Sequence, residues 1–260
     1  MQLNKIIHGD CLDVLSTIRD GADLIYMDPP FFTNRQHENN GISFDDRWED
    51  LESYLSWMKI RISACRQILN PSGTFFLHCD PTASHYLKIV LDSIFCGHGG
   101  DFLNEIVWCY RQGGRSNVKF PKKHDTLFWY SKGSNWKFNA DPIRVPYEGT
   151  GGFQTSGKGV TNKATGKTYL PNPKGKVPED WWDIPALPPM SAERIGYPTQ
   201  KPEALLDRII KVASDEGDVV LDPMCGSGTT IAVAKKLNRQ WVGIDVSEDA
   251  IRMCNERLSK

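Results

Sequence analysis

Two short stretches combine residue types and spacings that can do chemistry. The first, Asp23-Leu24-Ile25-Tyr26-Met27-Asp28-Pro29-Pro30-Phe31-Phe32, is an apolar run that ends in an acid, two prolines and two aromatic rings. Proline fixes φ and removes a backbone donor, so Asp28-Pro29-Pro30-Phe31 reads as a stiff turn holding a carboxylate and a main-chain carbonyl as two acceptors beside an aromatic face. Two acceptors suit an exocyclic NH2 group, and the ring suits a base taken out of its stack. As structure alone, the same residues are a turn that ends a strand. The second stretch, Val219-Val220-Leu221-Asp222-Pro223-Met224-Cys225-Gly226-Ser227-Gly228-Thr229-Thr230, runs from an apolar strand through a glycine loop into a helix. Its glycines let a ligand approach the backbone, and the helix start offers free N–H groups. No Gly-Lys-Ser/Thr follows, which argues against a phosphate-cradling loop, and a third glycine is missing, which argues against a dinucleotide fold. The next apolar run, Trp241-Val242-Gly243-Ile244-Asp245, ends in an acid about 20 residues on, where it can accept hydrogen bonds from ribose hydroxyls.

The elements that must position these residues alternate. β-rich runs at Lys5–His8, Leu24–Met27, Thr74–Cys79, Glu105–Tyr110, Thr126–Ser131, Val219–Leu221 and Trp241–Ile244 are separated by helical patterns, the signature of βα units and a mostly parallel sheet. Trp48, Leu51, Leu55, Met58, Ile62, Cys65 and Leu69 recur at steps of three and four and predict a long helix packed on the core, stopped by Asn70-Pro71-Ser72-Gly73. Further helices are expected at Cys11–Ile18, Thr82–Phe95, Pro202–Ser214, Thr229–Leu237 and Ser247–Leu258. Residues 132–196 keep no period. Such a long irregular insertion is usually functional or disordered, and its Trp181-Trp182 pair implies docking against the body.

Composition narrows the class. With 260 residues, 40% hydrophobic and 24% charged, the chain is of globular type, with core enough to fold without staples. No apolar run is long enough to span a bilayer, and the start lacks the order of a signal peptide, so a cytoplasmic protein without membrane contact is expected. Seven scattered cysteines without a Cys-x-x-Cys pair read as reduced thiols in the core. His78-Cys79-Asp80 and Cys96-x-His98 lack a second ligand pair at zinc spacing, so no metal site is expected. The net charge of −1 hides an asymmetry: residues 111–176 carry +10 and the remainder −11. Cations interleaved with Phe120, Trp129, Trp136, Phe138, Tyr147 and Phe153 are what a nucleic-acid surface requires, whereas a solvated basic loop is the plainer reading.

Together, Asp28-Pro29-Pro30-Phe31, Leu221–Thr230 and Tyr197-Pro198-Thr199-Gln200-Lys201-Pro202 resemble the amino-DNA methyltransferases that use S-adenosylmethionine. The order of the motifs resembles the circularly permuted β class. Phe31 stands where many members have Tyr, and Met224 where Phe is more usual. The resemblance implies an α/β, Rossmann-like, seven-stranded mostly parallel sheet of the class I methyltransferase type, with an antiparallel strand near one edge. The strands ending at Asp28 and Asp222 would be neighbours at the topological switch point. It divides the chain into 1–110, the catalytic half; 111–196, a basic target-recognition region containing one core strand near 126–131; and 197–260, the cofactor half.

By the same resemblance, Asp222, Pro223, Gly226, Gly228 and Thr229 would line the methionine and ribose part of the cofactor, and Asp245 would hold the ribose hydroxyls. Asp10 and Cys11 match the element that contacts adenine, although Asp10 also reads as a helix N-cap. Thr199 and Lys201 match the element near the cofactor's carboxylate, although Lys201 also reads as an exposed charge before a helix. Asp28, Pro29, Pro30 and Phe31 would carry methyl transfer to an amino nitrogen in double-stranded DNA, with Arg111, Arg115, Lys119, Lys122 and Lys123 touching the DNA. Asp at the first position of the tetrapeptide favours N6 of adenine over N4 of cytosine, where Ser is usual. A dehydrogenase leaves Asp28–Phe31 and the basic segment unexplained. RNA or protein methyltransferases usually carry Asn before Pro-Pro, and a silent DNA-binding subunit would lose the cofactor residues. A homodimer and a cognate restriction endonuclease remain open as partners, and no nuclease motif is evident in this chain.

Overall fold

In the computed structural model, which describes residues 2–19, 21–39, 42–111, 114–147, 159–161 and 164–259, twelve strands and six helices follow one another. The strands are β1 (Lys5–His8), β2 (Ala22–Met27), β3 (Gln36–Asn39), β4 (Ile42–Asp45), β5 (Leu69–Cys79), β6 (Phe102–Cys109), β7 (His124–Ser131), β8 (Val160–Thr161), β9 (Thr168–Tyr169), β10 (Trp181–Asp183), β11 (Val219–Asp222) and β12 (Gln240–Asp245). The helices are α1 (Cys11–Thr17), α2 (Leu51–Ile68), α3 (Ser84–Ile94), α4 (Glu203–Ala213), α5 (Thr229–Lys236) and α6 (Glu248–Leu258).

Eight strands form one sheet in the order β1-β12-β11-β2-β5-β7-β6-β10, and all but β7 run in the same direction. The seven expected strands are there, with the antiparallel one near an edge. β10 is the addition: the Trp181-Trp182 pair does not merely dock but extends the sheet beside β6, with Trp182 opposite Trp108. The hairpin β3–β4 was also not foreseen. β11 and β2 lie side by side, with Leu221 opposite Ile25, which brings the ends that carry Asp222 and Asp28 together.

Alternation along β2 explains the two layers. Ile25 and Met27 face a core shared with α1, α2 and α3, while Leu24 and Tyr26 face one shared with α4, α5 and α6. Asp50 caps α2 by accepting from the Ser53 N–H at 2.7 Å, and the helix ends at Ile68. Asn70-Pro71-Ser72-Gly73 is extended chain at the start of β5 rather than a separate turn, and the pairing of β5 with β2 shifts register there.

A parallel sheet has two unlike rims. At the carboxyl rim the chain leaves β1, β12, β11, β2 and β5 through Asp10, Asp245, Asp222, Asp28 and Asp80, respectively. The segment between β6 and β7 has both ends on this rim. The segment between β7 and β10 has both ends on the opposite rim, where Lys132 Nζ donates to the Gln67 carbonyl at 3.1 Å and Lys137 pairs with Asp215 at 2.9 Å.

Candidate active site

A cavity of about 610 Å³ opens over the carboxyl ends of β1, β12, β11 and β2. Asp10, Cys11, Asp28, Pro29, Pro30, Phe31, Thr199, Lys201, Asp222, Pro223, Gly226, Thr229 and Asp245 all line it, so three motifs far apart in sequence share one space.

On one side, the glycine loop is held by the acid of the neighbouring strand. Asp245 accepts from the Gly226 N–H at 2.8 Å and the Ser247 N–H at 2.9 Å. Burial raises the Asp245 carboxyl above the usual range despite these bonds. Gly226 adopts φ +49°, and a β-carbon there would meet the Tyr197 ring at 3.1 Å. Asp222 is 2% exposed and accepts from the Met224 N–H at 3.1 Å. Burial, with the charges of Asp28 and Asp245 adding to it, pushes its carboxyl up to about 7 even against hydrogen bonds from Thr230 and Met224.

Asp10 does cap α1, accepting from the Leu12 N–H at 2.8 Å, and its second oxygen pairs with Arg61 at 2.7 Å. Arg61, on the buried face of α2, lies 3.8 Å from the centre of the Trp57 ring. Sequence reasoning missed both, although Arg61 stands on the apolar stripe between Met58 and Cys65, where a charge needs a partner.

Opposite the glycine loop, Asp28 Oδ2 accepts from Lys201 Nζ at 2.5 Å, while the buried Oδ1 has no hydrogen-bond partner among the described residues. Lys201 is therefore not an exposed charge: its side chain is 12% exposed and its ammonium lies 4.9 Å from the centre of the Phe31 ring. Beneath this turn, Tyr54 Oη donates to the Pro30 carbonyl at 2.8 Å. Buried Asp46, also missed, accepts from the N–H groups of Phe32 at 2.9 Å and Thr33 at 2.7 Å and fixes the exit of the turn. Its signal was weak, an acid in a stretch with no assigned element.

Gly228, expected beside the cofactor, is not among the described residues that line the cavity. Its N–H is used by the Cys225 carbonyl at 2.8 Å, and a β-carbon at its φ of +74° would come 2.1 Å from Cys254 Sγ. This glycine serves the packing of α5 against α6. Among the expected DNA contacts, Arg115 and Lys119 are exposed, and Lys123 is half-buried. Arg111 pairs with Asp183, and Lys122 lies 2.8 Å from Thr82 Oγ1 and 3.5 Å from Asp80.

A family model described as DNA methylase matches residues 22–256. The Type II methyltransferase M.BglII of Bacillus subtilis is 34% identical over 99% of this chain and 69% of its own length. The DNA adenine methyltransferase YhdJ of Escherichia coli is 31% identical over 99% and 83%, respectively. Among solved structures, the cytosine-N4-specific PvuII DNA methyltransferase superposes with a TM-score of 0.70 at 17% identity, covering 97% of this chain and 85% of that one, which speaks for the fold.

Proposed function

The chain belongs to the DNA methylase family of N6 and N4 amino-methyltransferases, and on that premise we propose that it methylates the exocyclic N6 of adenine at a specific site in double-stranded DNA, using S-adenosylmethionine. One observation carries this reading: a buried carboxylate oxygen, Asp28 Oδ1, lacks a partner among the described residues, beside an aromatic ring and across a cavity from a glycine loop. A buried acceptor without a donor is costly unless a ligand supplies one.

The cavity residues suit the cofactor. Asp245 keeps lone pairs beyond the two it spends on backbone, enough for ribose hydroxyls, and Asp222 offers a carboxyl to the cationic methionine end. Asp10, Cys11 and the neighbouring Trp57 offer a polar edge and a flat face for adenine. When bound, S-adenosylmethionine supplies an electrophilic methyl group. Residues of the chain do the rest. Phe31 stacks on the extruded base, and Asp28 Oδ1 and the Pro29 carbonyl accept the two amino hydrogens. This draws the nitrogen lone pair out of the ring and stabilises the positive charge that grows on it. Lys201 holds Asp28 by the other oxygen, so the free one is fixed in place. Once the nitrogen has gained the methyl it sheds a proton, and Asp28 is placed to take it. Positioning and electrostatics carry the acceleration.

Asp28 at the head of the tetrapeptide, together with the adenine methyltransferase among the relatives, supports adenine; N4 of cytosine, the other amino target of the family, is the second reading. DNA contact is assigned to the segment between β6 and β7, with Arg115, Lys119, Lys122 and Lys123 facing phosphates. The test is expression in a methylation-free host followed by modification-sensitive sequencing of its DNA. N6-methyladenine in one recurring motif is the expected result, N4-methylcytosine would replace adenine as the target, and unmodified DNA from a host making folded protein would overturn the proposal.

A further inference from the structure

Beneath Asp28 lies a buried polar cluster that the mechanism above does not use. His78, at the end of β5, is fully buried. Its Nε2 is 3.2 Å from Asp125 Oδ2 on β7, and its Nδ1 is 2.7 Å from Tyr26 Oη on β2. The same Nδ1 faces Asp28 Oδ1 at 3.7 Å, beyond hydrogen-bond reach. Tyr110 Oη donates to the other oxygen of Asp125 at 3.2 Å. Phe31 and Trp108 pack against the imidazole with ring centres at 5.4 and 5.5 Å. The ionisable groups around His78 are thus Asp28 and Tyr26 from β2 and its turn, Asp125 from β7, Tyr110 beyond β6, and Lys201 on the far side of Asp28.

The charges of this cluster fix where protons sit. Burial alone would raise Asp125, but the hydrogen bond from His78, the charge of Lys201 and the Tyr110 hydroxyl outweigh it and hold the carboxyl below its ordinary value. Asp125 is an anion that accepts. Burial, with Asp28 adding to it, holds the Tyr26 phenol well above its ordinary value, so Tyr26 keeps a proton to donate. An anion at Nε2 and a hydroxyl donor at Nδ1 select the imidazole tautomer with its hydrogen on Nε2. In that form His78 has no hydrogen to give Asp28.

We propose that His78 is a positioning residue for methyl transfer: Asp125 draws its hydrogen to Nε2, so that Asp28 Oδ1 stays unoccupied and available to the target amino group. With the hydrogen on Nδ1, the imidazole would present a donor on the side that faces that oxygen, 3.7 Å away, and a small shift of the carboxylate toward it would set His78 in competition with the base. The inference rests on the methyltransferase reading of the site and adds a group to it.

The test has two parts. Long-range 15N–1H correlation spectra of histidine-labelled wild-type protein report the tautomer directly. The expected pattern for His78 is hydrogen on Nε2; hydrogen on Nδ1 overturns the proposal without any variant. Asp125→Asn, whose amide can donate to Nε2, is expected to move the hydrogen to Nδ1. Methyl transfer to unmethylated genomic DNA under single turnover should then fall at least about tenfold, as when a buried acid that orients a catalytic histidine is made an amide. Cofactor affinity by calorimetry should stay within about twofold, since the change lies outside the cofactor half. An unchanged rate in Asp125→Asn sinks the proposal alone, whereas a wild type that methylates no DNA sinks the reading beneath it.

Discussion

The basic segment has two parts, and they differ more than their sequences imply. Between β6 and β7 the chain leaves and re-enters the sheet on the rim that carries the cavity, and Arg115 and Lys119 stand exposed there. Between β7 and β10 it starts and ends on the opposite rim. There Lys137 pairs with Asp215, Arg144 and Lys174 with Asp141, and Lys176 with Glu179. The described cations of a run that totals +10 along the chain therefore do not form one positive surface. Topology sorts its described cations between the rim beside the chemistry, where Arg115 and Lys119 stand exposed although Arg111 and Lys122 have acidic partners, and the opposite rim, where Lys137, Arg144, Lys174 and Lys176 are paired.

Four measurements break or sharpen the contrast between the rim that carries the cavity and the rim opposite it. The largest effect is expected at the cavity, where Asp28→Ala should reduce methyl transfer by at least about a hundredfold, as for loss of one oriented electrostatic group. Cofactor affinity in the same titration should hardly move, and equal loss of both would show that Asp28 belongs to binding.

Gly228→Ala should act on stability. The left-handed φ and the overlap with Cys254 together are expected to cost about 2 kcal/mol, read as a lower denaturation midpoint with an unchanged slope. Greater loss of cofactor binding than of stability would return this glycine to the cavity wall.

Asp222 gives the cavity a pH signature. Its carboxyl, pushed up to about 7 by burial and neighbouring acids, is mostly protonated below that pH, and a cationic ligand prefers it ionised. Cofactor affinity should rise about tenfold as pH rises through 7, and Asp222→Asn should flatten the curve. For the empty protein the sign is opposite: a raised folded pKa contributes stability at acid pH that is lost as pH climbs from the ordinary carboxylate range to about 7. The Asn variant should be spared that loss.

The smallest effect belongs to the rim. Lys119→Ala should weaken DNA binding a few-fold at every sequence and reduce the salt slope by about one, whereas Lys174→Ala on the opposite rim should leave both unchanged. Equal effects would erase the division between the two segments.

Much of the architecture could be read from residues because it depends on local rules. Apolar runs ending in acids marked five strands of the carboxyl rim, and a stripe at steps of three and four marked α2. What escaped depends on distant partners. Trp181–Asp183 is too short to show a period and becomes a strand only because β6 has a free edge. Arg61 is acceptable on a buried face only because Asp10, 51 positions away, meets it. His78 invited a metal reading from the adjacent Cys79 and Asp80, yet its partners come from β2 and β7. Gly226 and Gly228 look alike in sequence and differ because only one has Cys254 behind it.

Because β6 and β7 are antiparallel neighbours, the polypeptide joining them is a closed excursion whose two feet are pinned together whatever lies between. Doubling its length would add only about 0.6 kcal/mol of closure entropy. New residues could be grafted there, and a different nucleotide sequence sought, while the methyl-transfer apparatus on the same rim kept its shape.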